Sequence, residues 1–492
     1  MRKAPQVYEM QIQHIWKNQL FQRSLQTNLG DEVEVLDAGI ENTENGGPDF
    51  RNARIRIGNF TYVGDVEIDN DYSDWKSHGH NIDRKYNKVI LHASFTSKFN
   101  QSYVYNKDGR KIPTVCLDGF LSSDLITDLK SKFRTPHSRT EHELKCYSLN
   151  DDVGFGKKED FIKQLGIERF KKKCDKIYYR LKELTFLKEY KIKEPVINYE
   201  LTPEFQKRDF SNEDFEKKEL WQQLLYELLF EALGYSQNKN VMNNLAQSVN
   251  VDFLKKLGHD SEVVNRFESV LFNISGLVPR EDKIHPEVKN YVNSLNREWD
   301  IIKRIYDGKT FDETDWHFFK LRPQNFPTVR LAGGARLINT ILYEDLIGTL
   351  IRKFTEIRNL KVLINSVRSL FVIKSDGFWN NHYVFNEPAN GEIKYFVGAS
   401  RADEIVINVV LPFLAVYFNV FNNELLAKKI LKVYSIYNQR SDNKIVRDVA
   451  QGLNMNGLIK RTVYNQGMIE LFRNYCSKSK CLDCEIGKVV FN

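Results

Sequence analysis

The chain has 492 residues, 41% of them hydrophobic and 28% charged, with a formal net charge of +7. That length exceeds what one hydrophobic core usually reaches, so two to four domains are expected, stable without disulfides. The charge, set by 72 basic against 65 acidic residues, permits polyanion binding without demanding it.

Residues 1–13 are mixed polar sequence without an apolar signal core, so secretion is not expected and a cytoplasmic location is. Residues 7–21 read as an amphipathic helix, after which the texture turns β-rich. Strands are expected at 33–36, 53–57, 60–68 and 89–94, with Gly58 and Asn59 forming a tight hairpin turn between the second and third. Residues 121–133 read as helix and 134–143, with Pro136, as a linker.

Helical periodicity then dominates, at 161–188, 220–233, 241–257 and 286–306. The segment LRPQNFPTVRLAGGAR at 321–336 interrupts it, because Pro323 and Pro327 disfavour helix in the residues before them; a hinge or an ordered binding loop is expected. Further helices are expected at 335–354, 404–418 and 424–434. The longest apolar stretch, 405–421, is interrupted by Asn408, Pro412 and Asn419, falls short of the roughly 20 residues that span a bilayer, and reads as a core helix, so no membrane is expected. The fold class is α+β: an α/β domain over 1–143, a helical domain over 144–320, a second helical region over 321–473 and a cysteine-rich knuckle over 474–492.

Chemistry-bearing residues concentrate between Gly46 and His92. If 60–69 is a strand, alternation puts Asp65, Glu67 and Asp69 on one face and Tyr62, Val66 and Ile68 on the other. Three acids on one side repel unless a cation, basic residues or open water compensates. The two readings are a metal site and the wet face of a hairpin. Downstream, His78, His80, Asp83 and His92 form a grouping suited to Zn²⁺ or Mn²⁺, although His-Gly-His is no recognised zinc signature and Gly79 alone explains a turn. In its apolar strand His92 also reads as a packed, hydrogen-bonded core histidine, and Trp75 and Tyr86 read as packing anchors.

Cys476, Cys481 and Cys484 follow C-x4-C-x2-C spacing, which brings three thiolates to one metal, zinc or an iron–sulfur cluster, and requires a fourth ligand. Cys146 is the preferred fourth, with Cys116 and Cys174 as alternatives. Two basic surfaces are candidates for nucleic-acid contact: the lysine-rich helix with Tyr178, Tyr179 and Phe186, and the arginines Arg322, Arg330 and Arg336. Each also reads as structure, the first as a solvated face and the second as a rigid turn. There is no P-loop, no dinucleotide-binding glycine fingerprint beyond Gly333-Gly334 and no serine nucleophile elbow.

The strings GGPDFRNARIRIG, GDVEI, SDW, HGH and VILH, with the later RPQNFPTVRLA and YCSKSKCLDC, resemble an uncharacterised bacterial family, domain of unknown function 2851, over nearly the whole chain. The N-terminal third more distantly resembles the PD-(D/E)xK nuclease core. That resemblance implies a restriction-endonuclease-like fold, a Mg²⁺ or Mn²⁺ ion held by Asp49 and Glu67, and an acid such as Glu9 supplied by the first helix. Asp69 stands where the pattern has lysine, and Lys76 or Lys88 is a positional substitute. The resulting expectation is a metal-dependent nuclease-like protein acting on or binding DNA or RNA, with Asp69 assisting and the helical part gripping the nucleic acid. The alternatives are a noncatalytic nucleic-acid-binding or scaffold protein with a degenerate core, and a His/Asp metallohydrolase of a smaller substrate.

Overall fold

The computed structural model describes residues 9–491 except 23, 43–46, 97–100, 124, 126–143, 148, 193, 195–202, 281, 283, 319–320, 390, 441–442 and 479. The expected helix at 121–133 and linker at 134–143 fall almost wholly outside the described residues. The chain divides into two compact units, one made of residues 1–138 and 314–327, the other of 139–313 and 328–492.

Among the described residues the first unit is a mixed, curled sheet flanked by helix α1 (Glu9–Lys17). This helix buries Ile12, Ile15 and Trp16, a spacing that puts all three on one helical face. The strands are β1 (Leu25–Gln26), β2 (Glu32–Asp37), β3 (Ile40–Glu41), β4 (Phe50–Ile57), β5 (Phe60–Asp71), β6 (Val89–Thr96), β7 (Tyr103–Tyr105) and β8 (Lys111–Cys116). Their order is β1-β2-β4-β5-β6-β8-β7, with β3 also paired to β4. β2, β4 and β5 run antiparallel as a meander, whereas β6 lies parallel to β5 and β8 parallel to β6. Gly58, at φ +55°, turns the β4–β5 hairpin.

Two small cores sandwich the centre of this sheet. Val66, Ile68, Leu91, Ala93 and Phe95 join the residues of α1 on one side. Trp75, Tyr86, Val89, Val104 and Ile112 form the other, built around the excursion between β5 and β6 that contains α2 (Asp74–Ser77) and the 3-10 turn Arg84–Lys88. That excursion covers the sheet face carrying the acids, so of the two readings of that face the wet hairpin is the one set aside: Asp65, Glu67 and Asp69 are all buried.

The second unit is mostly helical. The helices used below are α3 (Phe155–Glu189), α4 (Lys218–Leu233), α5 (Pro327–Leu342), α6 (Leu346–Glu356), α7 (Ala399–Val420), α8 (Glu424–Ile436), α9 (Thr462–Leu471) and α10 (Glu485–Phe491). α3 and α9 touch backbone to backbone through reciprocal glycines: a Cβ on Gly166 would lie 2.0 Å from the Val463 carbonyl oxygen, and one on Gly467 1.9 Å from that of Ile162. Among the described residues α7 is the helix long and apolar enough to cross a membrane, at 22 residues, longer than its interruptions implied. It is packed as a core helix, 78% buried, with Trp221 of α4 against Phe413 and Tyr417.

The expected interruption at 321–336 is corrected in its second half. Pro327 opens α5, where a first-turn residue needs no N–H partner and the fixed φ of proline suits a helix. The expected helix at 335–354 is split, because Asp345 sits at φ +49° between α5 and α6.

Candidate metal centre

Side chains from separate elements meet around the face of β5 opposite Val66 and Ile68. Asp49 immediately precedes β4, Glu67 and Asp69 alternate along β5, and His92 lies on β6. The register pairs Glu67 with His92 across the parallel strands, which aims both at the same side. His78 and His80 flank Gly79 in the turn after α2. Gly79 has φ +82°, and a Cβ there would lie 3.1 Å from the Phe326 ring, so the turn needs glycine on both counts.

All of these groups are buried except His78, which is about 30% exposed. His78 Nδ1 lies 3.1 Å from Asp69 Oδ1, and His92 Nε2 lies 3.1 Å from Asp69 Oδ2. His80 Nε2 lies 3.1 Å from Glu67 Oε1 and 3.6 Å from Asp69 Oδ2. Asp69, His78 and His80 each offer a ligand atom within 4.8 Å of the other two, so this group can hold a metal ion. Behind it, Asp49 Oδ2 accepts from the Ile68 N–H at 3.0 Å and Glu67 Oε2 accepts from the Asp49 N–H at 3.1 Å. These bonds tie the two acid-bearing segments together.

The electrostatics follow from packing carboxylates against imidazoles out of water. Burial opposes a charged His80, yet Glu67 and Asp69 beside it push its pKa up to about 10. Burial likewise works against ionised Asp69, but His80, His78 and His92 hold it well below the usual carboxylate range. Burial also lowers His78, and Asp69 more than reverses the effect. Tyr86, its ring tilted against that of His80 with centroids 4.2 Å apart, is raised well above its ordinary value by burial and then by the surrounding acids.

The geometry separates the sequence candidates. Glu67, Asp69, His78, His80 and His92 come together with Asp49 behind them, whereas Asp83 caps the 3-10 turn through the Lys85 N–H. Lys76 and Lys88 are exposed, and Asp65, raised by burial, accepts from the Asn52 N–H at 3.1 Å. Trp75 and Tyr86 are packing residues: the Trp75 indole N–H reaches the Tyr105 carbonyl at 2.9 Å and its ring lies 5.2 Å from both His80 and His92. Glu9 lies on α1 with its side chain outside the described residues. Gln13, one helical turn on, was missed; its amide donates to Asp49 Oδ1 at 2.8 Å. The signal was its position four residues after Glu9, on the same helical face.

Arg322 is exposed in the first unit. In the second unit Arg330 is buried, bonded to the Phe396 carbonyl and to the Tyr235 hydroxyl at 2.9 Å, and Arg336 pairs with Glu268 and Asp376. These two forks bind protein groups. Much of the lysine-rich run of α3 is likewise matched internally: Lys172 meets Glu470 at 2.5 Å, Lys173 meets Gln466 at 3.0 Å, and Arg180 meets Glu183, Glu194 and Glu227. Tyr178 packs on Phe215, and Phe186 packs on Tyr190 and Phe205. Cys146, Cys476, Cys481 and Cys484 line one cavity of the second unit, and all six cysteines are free thiols.

A family described as protein of unknown function (DUF2851) matches residues 9–191 and 205–443, which includes every residue of the metal centre and most of the helical unit. The chain belongs to DUF2851. No curated protein and no solved structure matches it. The DUF2851 match ends at residue 443, short of the cysteine-bearing tail that the sequence resemblance included.

Proposed function

We propose that this DUF2851 protein is a metal-dependent hydrolase of phosphodiester bonds, with nucleic acid as the substrate class. The observation that carries the reading is the convergence of Asp69, His78 and His80 beside Glu67. Two imidazoles and a carboxylate suit a borderline cation such as Mn²⁺ or Zn²⁺ better than Mg²⁺, which prefers oxygen ligands. This shifts the expected metal away from magnesium. When bound, such a cation supplies charge neutralisation and Lewis acidity to a phosphoryl group.

The chain's own residues have distinct parts in this reading. Asp69, His78 and His80 hold the cation, and His92 and the Trp75 ring fix the carboxylate and imidazoles in place. Glu67, next to His80, is placed to accept a proton, and Asp49 with Gln13 anchors the strand that carries it. His78, the exposed member, faces the solvent side from which substrate arrives. The nuclease-like reading is supported by an antiparallel meander followed by a parallel strand, with Asp49 before one central strand and Glu67 within the next. The bound cation would supply the positive charge that a lysine has in that pattern.

The test is incubation of the purified full chain with Mn²⁺, Zn²⁺ or Mg²⁺ and end-labelled single- and double-stranded DNA and RNA. Cleavage with Mn²⁺ or Zn²⁺ that Asp69→Asn and His80→Ala abolish is expected. Absence of cleavage with all three cations overturns the reading, and salt-sensitive binding without turnover selects a noncatalytic nucleic-acid-binding role instead.

A further inference from the structure

The second unit contains a set of groups that the proposed hydrolysis does not use. Cys146 comes from a turn near the start of that unit, and Cys476, Cys481 and Cys484 come from its last helices and turns, yet all four line one cavity with Leu144, Tyr475 and Phe491. Burial raises the Cys146 and Cys476 thiols, and nearby thiols add to it: Cys484 and Cys481 at Cys146, and Cys484, Cys146 and Cys481 at Cys476. No disulfide joins any of them.

Both halves of this set are held by specific bonds. Asn150, fully buried, donates from its amide to the carbonyls of Cys146 at 2.7 Å, Tyr147 at 2.8 Å and Gly452 at 2.9 Å, and accepts from Lys158 at 2.6 Å. This fixes the Cys146 turn. On the other side, α10 starts directly after Cys484, and the Lys488 N–H donates to the Cys484 carbonyl at 2.8 Å. A Cβ on Gly487 would lie 2.1 Å from the Cys481 carbonyl oxygen, so glycine is what lets the Cys481 turn close against the helix.

The spacing of the sulfurs discriminates between metals. A single tetrahedral zinc with bonds of about 2.3 Å draws its four sulfurs to about 3.8 Å from one another. Among the described residues no three cysteine sulfurs lie within 4.8 Å of one another. A wider tetrad suits a polynuclear centre in which each thiolate binds a different metal atom. We infer that Cys146, Cys476, Cys481 and Cys484 ligate a [4Fe–4S] cluster that staples the C-terminal tail to the start of the helical unit. Leu144 and Phe491 supply apolar lining beside the thiols, and the role of the cluster is structural.

The experiment is anaerobic purification of the full chain from iron-supplemented cells, followed by iron, zinc and acid-labile sulfide analysis and visible absorption spectroscopy. About four iron and four sulfide per chain are expected, with broad charge-transfer absorption that dithionite bleaches. Cys146→Ser and Cys484→Ser are each expected to lower bound iron at least about tenfold. Cys174→Ser, a cysteine whose sulfur sits apart at 3.8 Å from the Pro412 carbonyl, is expected to leave it unchanged. Should the tetrad variants fail to fold, reconstitution of the unmodified chain with ferrous iron and sulfide reads the same stoichiometry. One zinc per chain without sulfide overturns the cluster, and absence of any bound metal in both preparations overturns the site altogether.

Discussion

His92 Nε2 on β6 and Asp69 Oδ2 on β5 meet at 3.1 Å across two parallel strands, so the orientation of the Asp69 carboxylate is set by the sheet register. The other oxygen of that carboxylate faces His78, and His80 approaches from the turn. One aspartate thus receives three imidazoles, one delivered by a strand and two by a loop.

Asp69→Ala removes a proposed ligand, whereas His92→Ala removes the group that orients it. Titration calorimetry with Mn²⁺ is expected to show His92→Ala weakening binding by about 10–100-fold, and Asp69→Ala weakening it further. Equal or negligible losses in the two variants contradict the assignment of His92 as the outer partner.

Gly79→Ala tests the turn. A left-handed alanine costs roughly 1–2 kcal/mol, and its methyl group presses on the Phe326 ring. The expected outcome is a lowered Tm together with weaker Mn²⁺ binding, because His78 and His80 move with the backbone. Unchanged affinity would mean that the two histidines tolerate the displacement.

The helical unit depends on the α3–α9 contact. Gly166→Ala and Gly467→Ala each drive a methyl group into a facing carbonyl, and neither helix backbone can yield without separating the pair. A loss of about 1–3 kcal/mol or more in urea denaturation is expected for each. Mn²⁺ affinity, which belongs to the other unit, is expected to stay at the unsubstituted value.

Glu470 gives this same contact a pH dependence. Burial favours its protonated form, but Lys172 at 2.5 Å and Arg169 at 3.1 Å outweigh that and hold its pKa below the ordinary 4.5. A depressed carboxyl contributes stability that is fully present above 4.5 and is lost as pH falls through the lower folded value. Thermal denaturation between pH 7 and pH 3 is expected to fall less steeply in Glu470→Gln than in the unsubstituted chain.

The metal centre was legible in the sequence to the extent that it depends on local periodicity. Alternation along β5 put Glu67 and Asp69 on one face and Val66 and Ile68 on the other, and the two faces meet separate cores. Whether that face is wet or covered is not legible in the sequence, because what covers it is the excursion that follows, and Trp75 and Tyr86 tell of packing without telling where they pack. The meeting of His78, His80 and His92 on Asp69 depends on the β5–β6 register and on a left-handed glycine, neither of which has a periodic signature. Pro327 was read as a breaker although the same ring constraint suits the first turn of a helix. Phosphate contact and a rigid turn both stay open for Arg330 and Arg336 in the sequence, which does not reveal Tyr235, Glu268 and Asp376 as their internal partners.

The first unit is assembled from two stretches of chain, and the second stretch carries Phe318 and Phe326, the residues nearest Gly79. During translation those aromatic groups follow the histidine turn by roughly 250 residues, a delay of about 12–50 s at ordinary elongation rates. Until then the nascent sheet holds its acids and imidazoles under an incomplete cover. A fragment ending near residue 143 would carry every ligand of the metal centre and remain permanently in that unfinished state.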